Sequence, residues 1–260
     1  MRIIGWNIRA GGGRRVEHIA AQLQAWDGDV VALSEFRATP ASAWLAEALA
    51  QGGLPYQLTT ASEGAPALNS LLIASRWPLA RLPFRKLPLP PHRCLPALIQ
   101  APGPSPQAPQ PLMLTAVHGP LGATGLRRPF NQRVLAMIRR RPRWPGIVIG
   151  DTNTGMRGVD EESPVFDAQD DAWMEAMRLS GWPDAFRRLR GDERAYTWYS
   201  PNRGNGFRLD QAFVHRSLMP RVVDARYEWG RNGIVDARRD ALSDHAALIL
   251  DMSDVGQPAA

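Results

Sequence analysis

Short apolar segments alternate along the chain with segments in which apolar residues recur at every third or fourth position. The short segments have the length of β-strands. They predict strands at residues 2–8, 29–33, 56–59, 70–75, 97–100, 112–118, 147–149, 207–215, 222–227 and 246–250. Helical spacing is clearest in the segment that carries Val16, Ile19, Leu23 and Trp26, which follows a run of three glycines.

Three further helices are predicted. Thr39 and Pro40 have the residue types of an N-cap and a first helical position, and apolar spacing continues to residue 49. The other two helices carry the apolar faces Phe130, Val134, Met137, Ile138 and Phe166, Trp173, Met177 (with Asp170 on the same face). Strands and helices mixed in this way, with polar residues at the strand ends, predict an α+β sandwich of two sheets flanked by helices.

Prolines are dense between Pro78 and Pro111, which disfavours a continuous helix or central strand there. We expect only a short strand at 97–100 and then a long surface loop over 101–111. Because residues with catalytic chemistry lie on both sides, we interpret this loop as part of one domain. That domain is predicted to cover residues 1–253, and residues 254–260 are predicted to be a disordered tail.

Polar side chains follow the predicted strands at six places along the chain. Polar groups at the ends of adjacent strands can converge on one rim of a sheet, where a rigid scaffold holds a site well. We therefore expect one cleft that contains Asn7, Glu35, His118, Asp151 with Asn153, Asp210, and Asp244 with His245.

These residue types share a chemistry. Carboxylate and amide oxygens are ligands that Mg²⁺ and Mn²⁺ prefer, and a lone cysteine, Cys94, argues against zinc or iron–sulfur sites. Imidazoles beside them can bind a phosphate oxygen or transfer a proton. Each motif alone has an ordinary structural explanation, since Gly-Asp-x-Asn is a common turn and Ser-Asp-His can cap a helix. The conjunction of all six is what indicates a site.

The order and spacing of these motifs, from Trp6-Asn7 to Ser243-Asp244-His245, resemble the endonuclease/exonuclease/phosphatase superfamily, which includes DNase I and the exonuclease III-type abasic-site endonucleases. The resemblance implies a DNase I-like, four-layered α/β/β/α sandwich of two mixed β-sheets flanked by helices. It implies a Mg²⁺- or Mn²⁺-dependent hydrolase of phosphate ester bonds. Glu35 and Asn7 would be metal ligands, and Asp244 would support the metal or the neighbouring histidine.

The resemblance also implies catalytic roles. Asp151 and Asn153 would contact the nucleophilic water and the scissile phosphate. Asp210 would pair with His245 and hold its imidazole in one tautomer. His118 matches the phosphate-binding histidine of the DNase I-like branch, whereas the abasic-site enzymes usually carry a tyrosine near this position.

Two later segments, 196–199 and 205–210, resemble the nucleic-acid branch of the superfamily. Trp198 and Phe207 match aromatic residues that line the pocket for a flipped sugar, although both could equally be core residues. Asn205 in the same segment is also expected to contact the substrate, and Arg37 stands where a phosphate contact is expected. One departure is Arg9, which replaces an acidic auxiliary metal ligand of the abasic-site enzymes.

Charge and composition agree with a polyanionic partner. The net charge is +6, the sequence pI is about 10.3, and Lys86 is the only lysine. A charge of this size also serves solubility alone. No signal-peptide core and no apolar run long enough to cross a bilayer is found, so a cytoplasmic location is expected. We expect DNA rather than RNA as the substrate, no membrane association and no obligate protein partner.

Two other function classes stay open at this point. A phosphatase or phosphodiesterase of small-molecule or lipid phosphate esters would use the same metal site with a different pocket. A non-catalytic binding module on the same fold is disfavoured, because every central position of the motif set carries a chemically competent residue.

Overall fold

The computed structural model describes residues 1–105, 108–140, 145–230 and 241–253, without the side chains of 102–105 and 108–110. The predicted tail, 254–260, lies outside the described residues, and a single domain over 1–253 stays a prediction. Within the described part, no helix has both the length and the apolar character needed to span a bilayer.

Thirteen strands and five α-helices make up the regular structure of the described residues. The strands are β1 (Arg2–Asn7), β2 (Val30–Phe36), β3 (Tyr56–Thr59), β4 (Ser70–Ser75), β5 (Leu79–Arg81), β6 (Cys94–Ser105), β7 (Ala108–His118), β8 (Gly146–Asp151), β9 (Trp198–Tyr199), β10 (Gly206–Phe207), β11 (Asp210–Val214), β12 (Val222–Glu228) and β13 (Ala247–Met252). The helices are α1 (Val16–Trp26), α2 (Pro40–Gln51), α3 (Arg127–Arg139), α4 (Ala168–Leu179) and α5 (Ala185–Arg190).

The strands form two mixed sheets and a short ribbon. The first sheet has the order β12-β13-β1-β2-β4-β3, in which β1 and β2 are parallel and the other pairs antiparallel. The second has the order β11-β8-β7-β6-β5, in which only β7 and β8 are parallel. Strands β9 and β10 pair as a two-stranded ribbon.

The two sheets pack face to face, and helices cover their outer faces. The core between the sheets contains Ile3, Ile73, Leu114 and Ile147. On the outside of the first sheet, residues of α1 and α2 pack against its strands, while α3 and α4 cover the second sheet. The predicted α/β/β/α sandwich is therefore confirmed. It forms because the apolar residues of these four helices are spaced to lie on one face, which each helix buries against a sheet.

The hairpin of β6 and β7 corrects one prediction. The surface loop expected over 101–111 is wrong, because β6 and β7 continue through it, with Ala101 opposite Gln110 and Ser105 opposite Ala108. Strand β5 pairs with β6 only as far as Ile99, so beyond that residue β6 is an edge strand. An edge strand tolerates proline because one row of its backbone groups has no ladder partner.

The predicted strand 207–215 is likewise divided in two. Gly206–Phe207 pairs with β9, Asp210–Val214 pairs with β8, and the two residues between them leave both ladders. The reason is Arg208, whose amide donates to the Asp160 carbonyl at 2.9 Å and whose side chain is wholly buried among polar groups.

A buried ionic network surrounds the guanidinium of Arg208. Its Nε and Nη2 donate to the two carboxylate oxygens of Asp160 at 2.7 and 2.9 Å, and its Nη1 lies 2.7 Å from Oδ2 of Asp184. Nη1 also donates to the hydroxyl of Tyr227, which in turn donates to the backbone carbonyl of Asp210 at 2.8 Å. The network thus fixes the start of β11, where a predicted site residue lies.

We expect Asp160→Asn to lower the free energy of unfolding by about 3–5 kcal/mol, because it removes the carboxylate that pairs with both Arg208 and Arg187 and leaves Arg208 with Asp184 alone. Urea unfolding followed by tryptophan fluorescence measures the change. Glu175→Gln, which removes a carboxylate from the exposed pair with Arg178 on α4, is the matched control and should leave the midpoint unchanged. Equal midpoints for the two variants would contradict this account of the network.

Candidate active site

The strand directions explain why distant residues meet. Parallel strands β1 and β2 both end at the same rim, with Asn7 opposite Ser34, and parallel β7 and β8 end with His118 opposite Asp151. The antiparallel strand β11 begins at this rim, so that Asp210 is paired with Asp151. Likewise, β13 begins there, two residues after His245 of the Ser-Asp-His motif. The expected cleft is therefore built from the ends of both sheets.

A cavity of about 490 Å³ opens at this rim. Its polar lining comprises Glu35, Asn69, Arg93, His118, Arg127, Asp151, Asn153, Ser200, Asp244 and His245. Its apolar lining comprises Leu121, Gly122, Val165, Phe166, Trp198, Phe207 and Leu209. One side of the cavity therefore carries charge and imidazoles, and another side is aromatic and aliphatic.

Glu35 is aimed at the cavity by a β-bulge. The pairing of β2 with β4 shifts between Ser34 and Phe36, and Glu35 between them has a φ of 59°, in the left-handed region. The amide of Ala10 donates to Oε2 of Glu35 at 2.7 Å, and the amide of Gly11 donates to its carbonyl at 2.7 Å. This loop therefore holds both the backbone and the carboxylate of Glu35.

Glu35, Asp151 and His118 meet at the floor of the cavity, and Asn7 contacts both carboxylates from beneath without lining it. The amide nitrogen of Asn7 donates to Oδ2 of Asp151 at 3.1 Å and lies 3.4 Å from Oε1 of Glu35. Nε2 of His118 is 3.6 Å from Oδ2 of Asp151 and 4.0 Å from Oε1 of Glu35. The carboxylates of Glu35 and Asp151 thus both lie within 4.0 Å of the imidazole of His118.

The backbone at Asp151 requires a glycine before it. Gly150 has a φ of 138°, and a Cβ there would lie 2.1 Å from the carbonyl oxygen of Val117. After the carboxylate the chain turns sharply, with Asn153 at a φ of 50° and its amide donating to Oδ1 of Asp151 at 3.0 Å. The Asn153 side chain donates to the carbonyl of Gly119 at 2.8 Å, which joins the loops that follow β7 and β8.

Asp210 and His245 form a buried pair. Nδ1 of His245 lies 2.9 Å from Oδ2 of Asp210, and its Nε2 is directed toward Oδ2 of Asp151 at 3.9 Å. A carboxylate bound to one ring nitrogen fixes the tautomer and leaves the other nitrogen for the cavity. The pairing expected between Asp210 and His245 is therefore present in the geometry.

Burial and neighbouring charges separate the pKa values of the two histidines. Burial lowers the pKa of His118, and the positive charges of Arg93 and His245 lower it further. Burial alone would also lower the pKa of His245, but the charges of Asp210 and Asp151 outweigh it and raise that pKa to about 9. Burial raises the pKa of the Asp151 carboxyl, although the charge of His245 opposes the shift. Near neutral pH, His118 is thus neutral and His245 is cationic.

The oxygen donors suit a hard divalent cation. Glu35 and Asp151 supply carboxylates, and Mg²⁺ commonly uses one or two carboxylates together with water and substrate phosphate. No three side chains of the His, Cys, Asp or Glu types enclose an ion-sized site among the described residues. Asn7 presents its amide nitrogen to these carboxylates, since its Oδ1 accepts from the amide of Arg9 at 3.0 Å. Coordination through that oxygen would require the amide to rotate.

The remaining predicted residues lie at the rim or outside the cavity. Asp244 lines the cavity at its exposed edge, 3.9 Å from Arg9. Arg37 does not line it, because its Nε donates to Asn69 at 2.7 Å. Asn205 does not line it either and lies in the turn before β10, where its carbonyl accepts from Ser200.

Four polar lining residues were not predicted from the sequence: Asn69, Arg93, Arg127 and Ser200. Arg93 directly precedes β6 and donates to the carbonyls of His118 and Gly119. Asn69 directly precedes β4. Both Arg93 and Asn69 are therefore polar residues beside a strand end, the same sequence pattern that predicted the other site residues. Arg127 at the start of α3 carries no such signal; it donates to the carbonyl of Asn153 at 2.8 Å and pairs with Asp170.

The aromatic side of the cavity is a small cluster separate from the main core. Phe166, Phe207 and Leu209 are buried together, and half-buried Trp198 packs against them. The ring of Trp198 lies 5.9 Å from that of Phe207 and 6.4 Å from that of His245. The sequence left open whether Trp198 and Phe207 are core residues or line a pocket. In the structure they do both, since they pack against each other and also line the cavity.

Comparison with known proteins assigns the class of protein. The model of the Endonuclease/Exonuclease/phosphatase family matches residues 4–245, so the chain belongs to this family. It is accordingly an enzyme that hydrolyses phosphate esters. No curated relative matches the sequence.

Solved structures resemble the chain over almost its whole length. An AP endonuclease from Archaeoglobus fulgidus gives a TM-score of 0.76 at 18% identity, covering 97% of this chain and 99% of that one. The 3′ phosphatase NExo from Neisseria, bound to a product DNA hairpin, gives 0.75 at 17% identity, with coverages of 97% and 99%. An endonuclease/exonuclease/phosphatase from Beutenbergia cavernae gives 0.69 at 22% identity, with coverages of 100% and 73%. At these identities the likeness establishes the fold alone.

We expect Asp210→Asn and His245→Ala each to lower kcat by a factor on the order of 10²–10⁴, because the two side chains act as one unit. The double variant should be little worse than the worse single variant, since groups acting together give non-additive losses. Steady-state kinetics of the four proteins in this cycle measure the coupling. Losses that multiply would refute the pair as a functional unit.

Proposed function

We propose that the protein is a metal-dependent phosphodiesterase that cleaves DNA. One observation carries this proposal: buried carboxylates and two imidazoles in different charge states converge at the floor of a cavity whose side wall is aromatic. The floor has the groups that phosphodiester hydrolysis needs, and the wall offers a surface for a nucleoside.

The charge states of His245, Asp151 and His118 suggest a separate role for each in the reaction. A phosphodiester gains negative charge as water attacks it, and preorganised positive charge stabilises that state. Cationic His245, held by Asp210, is placed to bind the phosphate oxygens. Asp151, whose pKa is raised by burial, is a suitable acceptor for the proton of the attacking water. Neutral His118 can donate one hydrogen bond to a phosphate oxygen or to Asp151.

Glu35, with Asn7 beside it, would hold the divalent cation, and Asp151 would stay available to the attacking water. When bound, Mg²⁺ or Mn²⁺ supplies positive charge to the phosphate and to the attacking oxygen. The loop that donates to Glu35 keeps this carboxylate in place. Asp244 lies farther out and would act on the ion or on His245 from the rim.

DNA is the substrate that the surroundings of the site favour. Arg93 lines the cavity beside His118, and its guanidinium can donate hydrogen bonds to a phosphate oxygen there. Trp198 and Phe207 provide an apolar face of the kind on which a sugar or base can pack. Two proteins of the same fold are described as an AP endonuclease and as a 3′ phosphatase bound to a DNA hairpin. The basic charge of the chain points in the same direction.

A phosphatase of small phosphate esters is the second candidate. The concave cavity of about 490 Å³ favours it, because this volume is within the range that holds small ligands. A panel of labelled abasic duplex, intact duplex, single strands, RNA and a small phosphate ester, each with Mg²⁺ or Mn²⁺ and with EDTA, separates the candidates. Efficient turnover of the small ester without DNA cleavage would replace the DNA proposal with the second candidate.

We expect Glu35→Gln to abolish most metal-dependent activity while leaving the thermal unfolding midpoint close to that of the wild type. The substitution removes the ligand charge but keeps the shape and the hydrogen bond from Ala10. Titration with Mg²⁺ should show a large loss of apparent metal affinity. Glu47→Gln, on the exposed face of α2, is the control and should behave as wild type. Wild-type turnover of Glu35→Gln, or hydrolysis that persists in EDTA, would contradict the metal role.

We expect Trp198→Ala to lower cleavage of abasic DNA much more than cleavage of intact DNA. A half-buried ring at the cavity wall can contact a baseless sugar without being essential to the core. Phe207→Ala should show the same selectivity together with a lower thermal midpoint, because its ring is buried. Trp44→Ala, which removes an exposed tryptophan from α2, is the control. An equal loss on both substrates would exclude a sugar pocket at these two residues.

A further inference from the structure

A second cavity of about 490 Å³ lies beside the catalytic cavity, between the segment after β5 and the N-terminal end of α3. We call it the accessory groove. Its apolar lining is Phe84, Leu87, Leu89 and Pro91 on one side and Leu126 and Pro129 on the other. A concave apolar surface of this size is suited to a ligand that presents flat apolar faces.

Two cations complete the lining of the accessory groove. They are Lys86, the only lysine of the chain, and Arg133 on α3. No carboxylate lines the groove, and neither cation forms an ion pair with another described residue. Among the described lining residues, therefore, no carboxylate offsets this positive charge, which favours an anionic ligand.

The accessory groove and the catalytic cavity are lined by neighbouring residues of the same two segments. Leu126 immediately precedes Arg127, and Pro91 stands two residues before Arg93; both arginines line the catalytic cavity. Large apolar side chains are exposed at both cavities, since Leu89, which lines the groove, is 68% exposed and Leu121, which lines the catalytic cavity, is 60% exposed. Contiguous exposed apolar side chains commonly mark a binding surface.

We propose that the accessory groove binds unpaired nucleotides of the DNA substrate, on the strand that leaves the catalytic cavity. A duplex turns its phosphates outward and keeps its bases stacked inside, so it cannot cover an apolar lining. A single strand can place its bases on Phe84 and Leu89 while Lys86 and Arg133 contact its phosphates. This inference rests on the proposed function and adds a preference for substrates with single-stranded extensions.

The test compares a blunt DNA duplex with the same duplex carrying an oligothymidine extension at its 3′ end or its 5′ end. Binding is measured by fluorescence anisotropy in EDTA over a salt series, so that no cleavage interferes. The test variant is Lys86→Ala with Arg133→Ala. The control variant is Arg188→Ala with Arg216→Ala, which removes the same charge from a groove of about 510 Å³ beyond the far end of β11. Leu89→Ala tests the apolar contact separately.

We expect one of the extensions to strengthen wild-type binding and the test variant to weaken binding of that substrate about tenfold at low salt. The slope of log Kd against log salt should fall by about 1.4, because each phosphate contact on a single strand contributes about 0.7. Leu89→Ala should weaken binding of the extended duplex but not that of the blunt one. The control variant should bind both duplexes as the wild type does, and all variants should hydrolyse a small phosphodiester at the wild-type rate.

The groove proposal is overturned if neither extension strengthens binding, or if the test and control variants behave alike. Cleavage of the blunt duplex by the same preparations decides the proposed function independently. Absence of binding to every oligonucleotide also overturns the groove proposal. In that case, turnover of a small phosphate ester without DNA cleavage would show that the proposed function has failed as well.

Discussion

The parallel pairing of β1 with β2 and of β7 with β8 is the constraint on which the site depends. Every other neighbouring pair in the two sheets is antiparallel. Because parallel strands end at the same rim, Asn7 and Glu35 meet at one sheet edge and His118 and Asp151 at the other. The sandwich then places the two edges side by side, and a shift in either register would turn these side chains to another face.

Burial gives the assembled groups their chemical character. Asp151 and His245 are almost without solvent contact, so their charges act on each other through a poorly screened interior. The pKa values of His118 and His245 move in opposite directions although both are buried, because only His245 has Asp210 as a direct partner. Geometry that fixes one carboxylate against one imidazole therefore decides which histidine carries charge near neutral pH.

The site is held in place by polar structure outside the cavity. Loop amides fix Glu35, Arg127 and Asp170 hold the turn that carries Asn153, and Arg208 with Tyr227 secures the start of β11. Several residues at the rim, including Glu35 and Asn153, have left-handed backbone conformations. Such conformations persist where surrounding contacts determine them, and here these contacts keep the side chains of the candidate site directed into the cavity.

The sequence by itself determined the α+β sandwich, most of its strands and helices, and the residue types that converge at the rim. Those features depend on apolar periodicity and on polar residues at strand ends, which are local and leave a visible pattern. The proline-rich hairpin of β6 and β7 and the break at Arg208 were decided by tertiary structure, because strand pairing and a buried ionic network override local preference. Tertiary structure likewise decided that Arg93 and Arg127 line the cavity and that the accessory groove forms. Their positions result from loops and a helix that are far apart in the chain, and no local pattern encodes which of them become neighbours.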